Sequence, residues 1–221
     1  MRTEQQGEPL GEHAAADARA NADAPPPQRK ARRRGAQIVL AGWFVGSTLV
    51  ASTLLARHVV PLPRPAADAE LATALAPLRA SEPNAFTVLH VLYSECRCSR
   101  RVAESLALHT ASEGVHERVL LVGTDERLAA KLSARGIDVR VTSVDELLAW
   151  HLEAAPLLVV IDPSGAVRYV GGYTDRKQAL IPRDREIVRA VRAGERVEPL
   201  PLFGCAVSDE LRRTINPLRL P

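Results

Sequence analysis

The residues of this chain best suited to covalent chemistry are its three cysteines, Cys96, Cys98 and Cys205. A thiol reacts as its thiolate, which is favoured beside cations and at helix N-termini, where free N–H groups and the helix dipole present positive potential. Cys96-Arg97-Cys98 has that setting. It closes a continuous apolar run, Phe86 to Tyr93, and opens a segment in which Val102, Ala103, Leu106 and Ala107 recur at helical spacing. Arg97, Arg100 and Arg101 add positive charge around the sulfurs. A nucleophilic, low-pKa thiol follows from that placement. A disulfide between residues two apart has awkward geometry, and strain makes such a bond easier to reduce. Cys205 stands apart, in Phe203-Gly204-Cys205, ahead of a short helix that Ser208 can cap. Two readings of it stay open. It is a resolving or regulatory partner folded back over the first two cysteines, or a small residue that packs the tail. With an odd count, at least one thiol is unpaired within a monomer.

The elements that must carry these residues alternate. The run 86–93 has the continuous apolar, β-rich character of a central strand covered on both faces. A helix is expected from Ser99 to about 111, a strand over 118–123, and a helix capped by Thr124 and stopped by Gly136. A short strand over 137–141 follows. Ser143 and Glu146 then have capping-box spacing, ahead of a helix bearing Val144, Leu147, Leu148 and His151. Ala155-Pro156 leads into a buried-type strand over 157–162. A Pro163-Ser164-Gly165 turn pairs this strand with 166–172 as a hairpin. Asp184 is expected to cap a last helix, ended by Gly194, whose arginine-rich face over 183–196 reads as solvated. The order is β-α-β-α-β-α-β-β-α, without repeats.

The 221 residues carry a formal charge of +3, 46% apolar and 25% charged residues, which excludes collagen-like and wholly disordered classes. The charge is uneven. Residues 1–35 hold seven bases and five acids, and five of those bases fall in the run Arg29, Lys30, Arg32, Arg33, Arg34. The remainder is close to neutral, and aromatics are only 4%, so a nucleic-acid-binding surface is not expected. Gly35 to Ala56 contains no charged residue over 22 positions, enough for a helix to cross a bilayer. That is longer than the ~7–15 apolar residues of a cleaved signal peptide. The basic run on its N-terminal side places the N-terminus in the cytoplasm and the rest of the chain outside, by the positive-inside rule. The expected organisation is a disordered basic tail over 1–35, a single transmembrane helix over 36–56 and a proline-rich spacer over 57–85. An α/β domain over 86–194 and a C-terminal tail over 195–221 with Cys205 complete it.

The element order, with a cysteine motif at the end of the first strand and Pro156 just before the hairpin, resembles the thioredoxin-like fold. It is nearest to the membrane-anchored thiol–disulfide oxidoreductases of the TlpA/ResA type. The resemblance covers about 86–194 and implies a three-layer sandwich around a central mixed sheet, preceded by the single transmembrane helix. The motif departs from the family's C-x-x-C: Ser99 stands where the second cysteine is expected, and Cys98 comes one place early. In family terms Cys96 matches the attacking cysteine, with Cys98 or Cys205 left to resolve the mixed disulfide. The other register makes Cys98 the attacker. The family also implies a cis-proline at Pro156 that shapes substrate docking, with the Ala155 backbone pairing to the bound chain. His90, six residues before Cys96, sits where the family often has a buried proton-handling acid. A histidine can move protons near neutral pH, or can be a core residue bonded to backbone.

Three functions compete. The first is exchange of thiols and disulfides on extracytoplasmic client proteins, served by a membrane redox partner and needing no cofactor. The second is a copper carrier or metal-site assembly factor using Cys96, Cys98 and Cys205, since paired thiolates bind soft ions. Met1 is the only methionine and there is no second cysteine pair, which weighs against it. The third is a non-catalytic thioredoxin-like binding module using the Pro156 groove. The T-x-x-C motif of peroxiredoxins is absent, as are P-loop and GxGxxG sequences.

Overall fold

The computed structural model describes residues 27–59, 61–110, 112–177, 179 and 181–215. The chain divides into two compact units, 1–56 and 57–221. In the first, helix α1 begins; it runs Pro27–Val59 as one helix of 33 residues. Its stretch Arg32–Leu54 is long and apolar enough to cross a membrane, a test that a signal sequence near an N-terminus also passes.

The second unit is built on a five-stranded mixed sheet of order β3-β2-β1-β5-β6. Strand β1 (Phe86–Tyr93) lies at the centre. Strands β2 (Val115–Val122) and β3 (Asp138–Thr142) extend it in parallel on one side. On the other side β5 (Leu157–Ile161) runs antiparallel to β1, and β6 (Val167–Gly171) antiparallel to β5. The parallel neighbours require crossovers, supplied by α3 (Arg97–Leu106) and α4 (Glu126–Ser133). Successive side chains of a strand face opposite sides. Leu89 and Val91 of β1 therefore enter one core cluster, and Val88 and Leu92 the other. The second cluster takes α3, α4 and α6 (Asp184–Arg192). The first takes α5 (Val144–Ala149), and also both flanks of the sheet domain. Helices thus cover both faces of a mixed sheet, and the Ala155–Pro156 bond ahead of β5 is cis. This is a thioredoxin-like α/β architecture.

The flanks do more than the sequence reading assigned to them. The stretch 57–85 holds α2 (Ala69–Ala74) and a 3-10 turn, Ala76–Leu78, which bury Leu71, Leu75 and Leu78 in the core. The C-terminal stretch forms a two-residue strand β7 (Cys205–Ala206), paired with β4 (Ala154–Ala155), and then α7 (Asp209–Ile215). Leu202, Ala206, Val207 and Leu211 of this stretch are core residues. Some boundaries also move. Helix α3 starts at Arg97, before Ser99, because the extended Cys96 backbone forms its N-cap. Asp125 caps α4 in place of Thr124, accepting from the Leu128 N–H. Asp184 is the first residue of α6 and makes no side-chain cap. The expected capping box of Ser143 and Glu146 is formed in both directions.

Candidate functional site

The site begins where β1 ends. After Tyr93 the chain makes a tight turn, closed by the Cys96 N–H donating to the Tyr93 carbonyl at 2.9 Å. The Cys96 carbonyl accepts the first helical bond, from the Arg100 N–H at 3.0 Å. Cys96 is therefore the N-cap of a ten-residue helix, through its backbone and without a side-chain bond, at the positive end of the helix dipole, which favours a thiolate. Ser99, standing where the resembled family has a cysteine, is buried and accepts from the Tyr93 N–H at 3.0 Å. It ties the helix to the strand.

The partner of Cys96 is Cys205. The two form a disulfide across a sequence separation of 109. Of the two options for Cys205, the structure has the fold-back over the motif. Cys98 is a free, half-buried thiol. It faces a small cavity of about 30 Å³, lined among others by Pro156, Tyr173 and Phe203. The structure thus brings Cys96, Cys205, Ala155 and Pro156 together and leaves Cys98 outside the bond. Among the described residues, no group of three or more His, Cys, Asp or Glu side chains is placed to hold a metal ion.

The tail reaches Cys96 by pairing with the edge next to Pro156. Ala155 is opposite Cys205 and Ala154 opposite Ala206 in an antiparallel ladder. The Ala155 carbonyl lies 3.7 Å from the Cys96 sulfur. The backbone that the resemblance assigns to a bound client is here paired with the protein's own C-terminal segment. Gly204 makes this approach sterically feasible. A Cβ there would press on the Ala155 carbonyl and come within 2.7 Å of Pro156 Cδ. Further bonds hold the segment. The Val207 N–H donates to the Glu153 carbonyl at 2.7 Å, and the Ser208 hydroxyl to the Glu153 carboxylate at 2.9 Å. The Arg212 guanidinium lies 5.9 Å from the Tyr93 ring centroid and donates to the Ala206 carbonyl at 3.1 Å. Glu153, Gly204 and Arg212 were not singled out from sequence. Gly204 and Arg212 stand close to Cys205 in the chain, but what each meets, Ala155 for Gly204 and Tyr93 for Arg212, is set by the fold and not by spacing.

The two cysteines of the bond differ in exposure. Cys96 has no exposed surface, whereas Cys205 is half-buried. Cys205 lines an open cleft of about 790 Å³ with Tyr93, Glu95, Asp209, Arg212 and Ile215. The Tyr93 hydroxyl donates to Glu95 at 2.7 Å, and this bond to a carboxylate pushes the Tyr93 pKa up.

His90 lies on the other face of β1, fully buried. Its Nδ1 is 2.9 Å from the Tyr173 hydroxyl, which reaches the Leu157 carbonyl at 3.4 Å. Nε2 has no partner among the described residues. Burial pulls the imidazole pKa down to about 4, against an upward pull from Asp184, so the ring is neutral at pH 7. Its hydrogen-bond partner is a tyrosine, not a cysteine. His90 borders a cavity of about 360 Å³ shared with Glu117, Asp184 and Arg189.

No protein-family model matches the chain, and no curated protein matches it. Three solved structures are similar in part. A conserved uncharacterized protein of Geobacillus kaustophilus is 20% identical with a TM-score of 0.45, covering 57% of this chain and 77% of its own. A hypothetical protein of Sinorhizobium meliloti 1021 is 16% identical with a TM-score of 0.45, covering 67% of this chain and 92% of its own. The MTB protein DsbF, solved in mixed oxidized and reduced forms, is 15% identical with a TM-score of 0.36, covering 50% of this chain and 81% of its own.

Proposed function

We propose that the chain is a membrane-anchored thiol–disulfide oxidoreductase of the TlpA/ResA type, acting outside the cytoplasm on protein thiols or disulfides. The observation that carries this reading is the Cys96–Cys205 disulfide, set at the N-terminus of α3 and beside Pro156. Exchange proceeds through a mixed disulfide with the client. Two electrons and two protons pass between the client dithiol and the Cys96/Cys205 pair, and a membrane redox partner resets the pair. Helix α1, with its basic N-terminal flank, is the proposed anchor, with the N-terminus inside and the cysteines outside.

Insulin reduction tests the activity. The full chain in detergent micelles should precipitate insulin with dithiothreitol as electron donor. Cys96→Ser and Cys205→Ser should each abolish this, and Cys98→Ser should retain it. A wild type no faster than dithiothreitol alone would sink the proposal. For the topology, alkaline phosphatase fused after Pro221 should be active in bacteria. An inactive fusion would place the domain on the other side.

A further inference from the structure

We infer that Cys205, not Cys96, is the sulfur that meets the client, and that the cleft lined by Tyr93, Arg212 and Asp209 is the way in. This rests on the proposed exchange activity and fixes its order. It reverses the order that the family resemblance implies, in which the first cysteine of the motif attacks.

Three observations point the same way. A thiolate attacks a disulfide along the line of the S–S bond, so the sulfur attacked must be open on the side away from its partner. Cys96 has 0% exposure, so neither side of its sulfur is open to a client. Cys205 opens on the 790 Å³ cleft. Next, the better leaving thiolate departs faster. Cys96 is that sulfur, because it is the N-cap of the ten-residue α3, where free N–H groups stabilise negative charge. Cys205 lies on a two-residue strand and has no such terminus. Last, the edge that would align a client against Cys96 is already taken. Ala155 pairs with Cys205, and Leu202, Val207 and Leu211 anchor the same segment in the core. A client cannot use that edge without unseating core residues.

The steps balance in either direction. With the oxidised protein, a client thiolate attacks Cys205 Sγ. The Cys96–Cys205 bond breaks, a client–Cys205 disulfide forms, and Cys96 leaves as a thiolate. A second client thiolate then attacks the client sulfur of that bond and expels Cys205 as a thiolate. The client is oxidised and the pair reduced by two electrons. With the reduced protein, the Cys205 thiolate attacks a client disulfide and releases one client thiolate. Cys96 then attacks Cys205 Sγ, releases the other, and the pair is oxidised.

The test uses glutathione as the client and the full chain in detergent micelles, carrying Cys98→Ser to remove the third thiol. The oxidised protein is exposed briefly to excess reduced glutathione, quenched with acid, and alkylated. Peptide mass spectrometry then locates the adduct. We expect glutathione on Cys205 and the alkyl label on Cys96. Glutathione on Cys96 would overturn the inference and leave the exchange activity standing. A disulfide that takes no glutathione on either cysteine would overturn both. A second pair of variants gives an independent reading. Cys96→Ser with Cys98→Ser should take up glutathione from its oxidised form, and Cys205→Ser with Cys98→Ser should take up much less. The opposite ranking would also overturn the assignment.

Discussion

Reducing the Cys96–Cys205 bond should destabilise the domain strongly while leaving its C-terminal segment docked. The bond closes a loop across a sequence separation of 109. In the chain-entropy description, cross-linking a loop of that length removes denatured-state freedom worth about 5 kcal/mol at 25 °C. That is a large share of the ~5–15 kcal/mol that holds a domain folded. The loss falls on the unfolded state, so native contacts should survive it. Leu202, Val207 and Leu211 are each almost fully buried, and burying such a side chain contributes about 1.5–3 kcal/mol. The backbone bond from Val207 to Glu153, at 2.7 Å, adds to their hold. Urea unfolding of the full chain, oxidised and reduced, followed by far-UV circular dichroism, measures the first part. Native-state hydrogen exchange at Val207 measures the second. A difference in stability below about 1 kcal/mol would refute the loop-closure reasoning, which scales with loop length. Loss of protection at Val207 on reduction would refute the docked tail, and would make the segment a swinging arm instead of a fixed partner.

Two further perturbations probe the surroundings of the bond. Gly204→Val should weaken the segment's docking by about 1–3 kcal/mol, because the added Cβ meets backbone and ring atoms that cannot move aside. The readout is slower oxidation of Cys96 with Cys205 in a glutathione buffer; oxidation at the wild-type rate would contradict the close approach. His90 should give the domain an acid-sensitive limb. Its pKa is about 6.5 when unfolded and about 4 when folded. The unfolded state therefore binds the extra proton between those values, and stability present above pH 6.5 falls as pH drops towards 4, by about 3 kcal/mol in all. Glu117 and Asp184 face the same cavity and remain in both proteins. His90→Leu should thus flatten this limb in urea titrations at pH 7, 5.5 and 4, and an unchanged slope would refute it.

Much of the domain was legible because its signals are local and periodic. The continuous apolar run of β1 reads as a strand buried on both faces, and β1 is that strand. The Ser143–Glu146 spacing reads as a capping box, and both of its hydrogen bonds are present. Two of the differences at helix starts, those of α3 and α6, have a common cause. Cys96 and Arg183 act as N-caps through backbone conformation alone, without a side-chain bond, so no residue type marks them. The buried 3-10 turn and α2 were legible in principle. Leu71, Leu75 and Leu78 recur at i, i+4 and i+7, a helical stripe that the surrounding prolines obscured. The β4–β7 pair was not legible, since two residues a side carry no periodicity. The pairing of the cysteines was also beyond sequence. Three cysteines allow three single disulfides, and only the return of the segment to Ala155 selects Cys96–Cys205.

The central claim is that Cys96 and Cys205 form one exchanging redox pair. It is tested most directly by equilibrating the full chain across a series of glutathione redox buffers, then alkylating the free thiols and assigning them by peptide mass spectrometry. Cys96 and Cys205 should lose and regain their label together, in a single two-electron transition, with Cys98 labelled throughout. A transition that joins Cys96 to Cys98, or a Cys96–Cys205 bond that does not respond to the buffer, would contradict it.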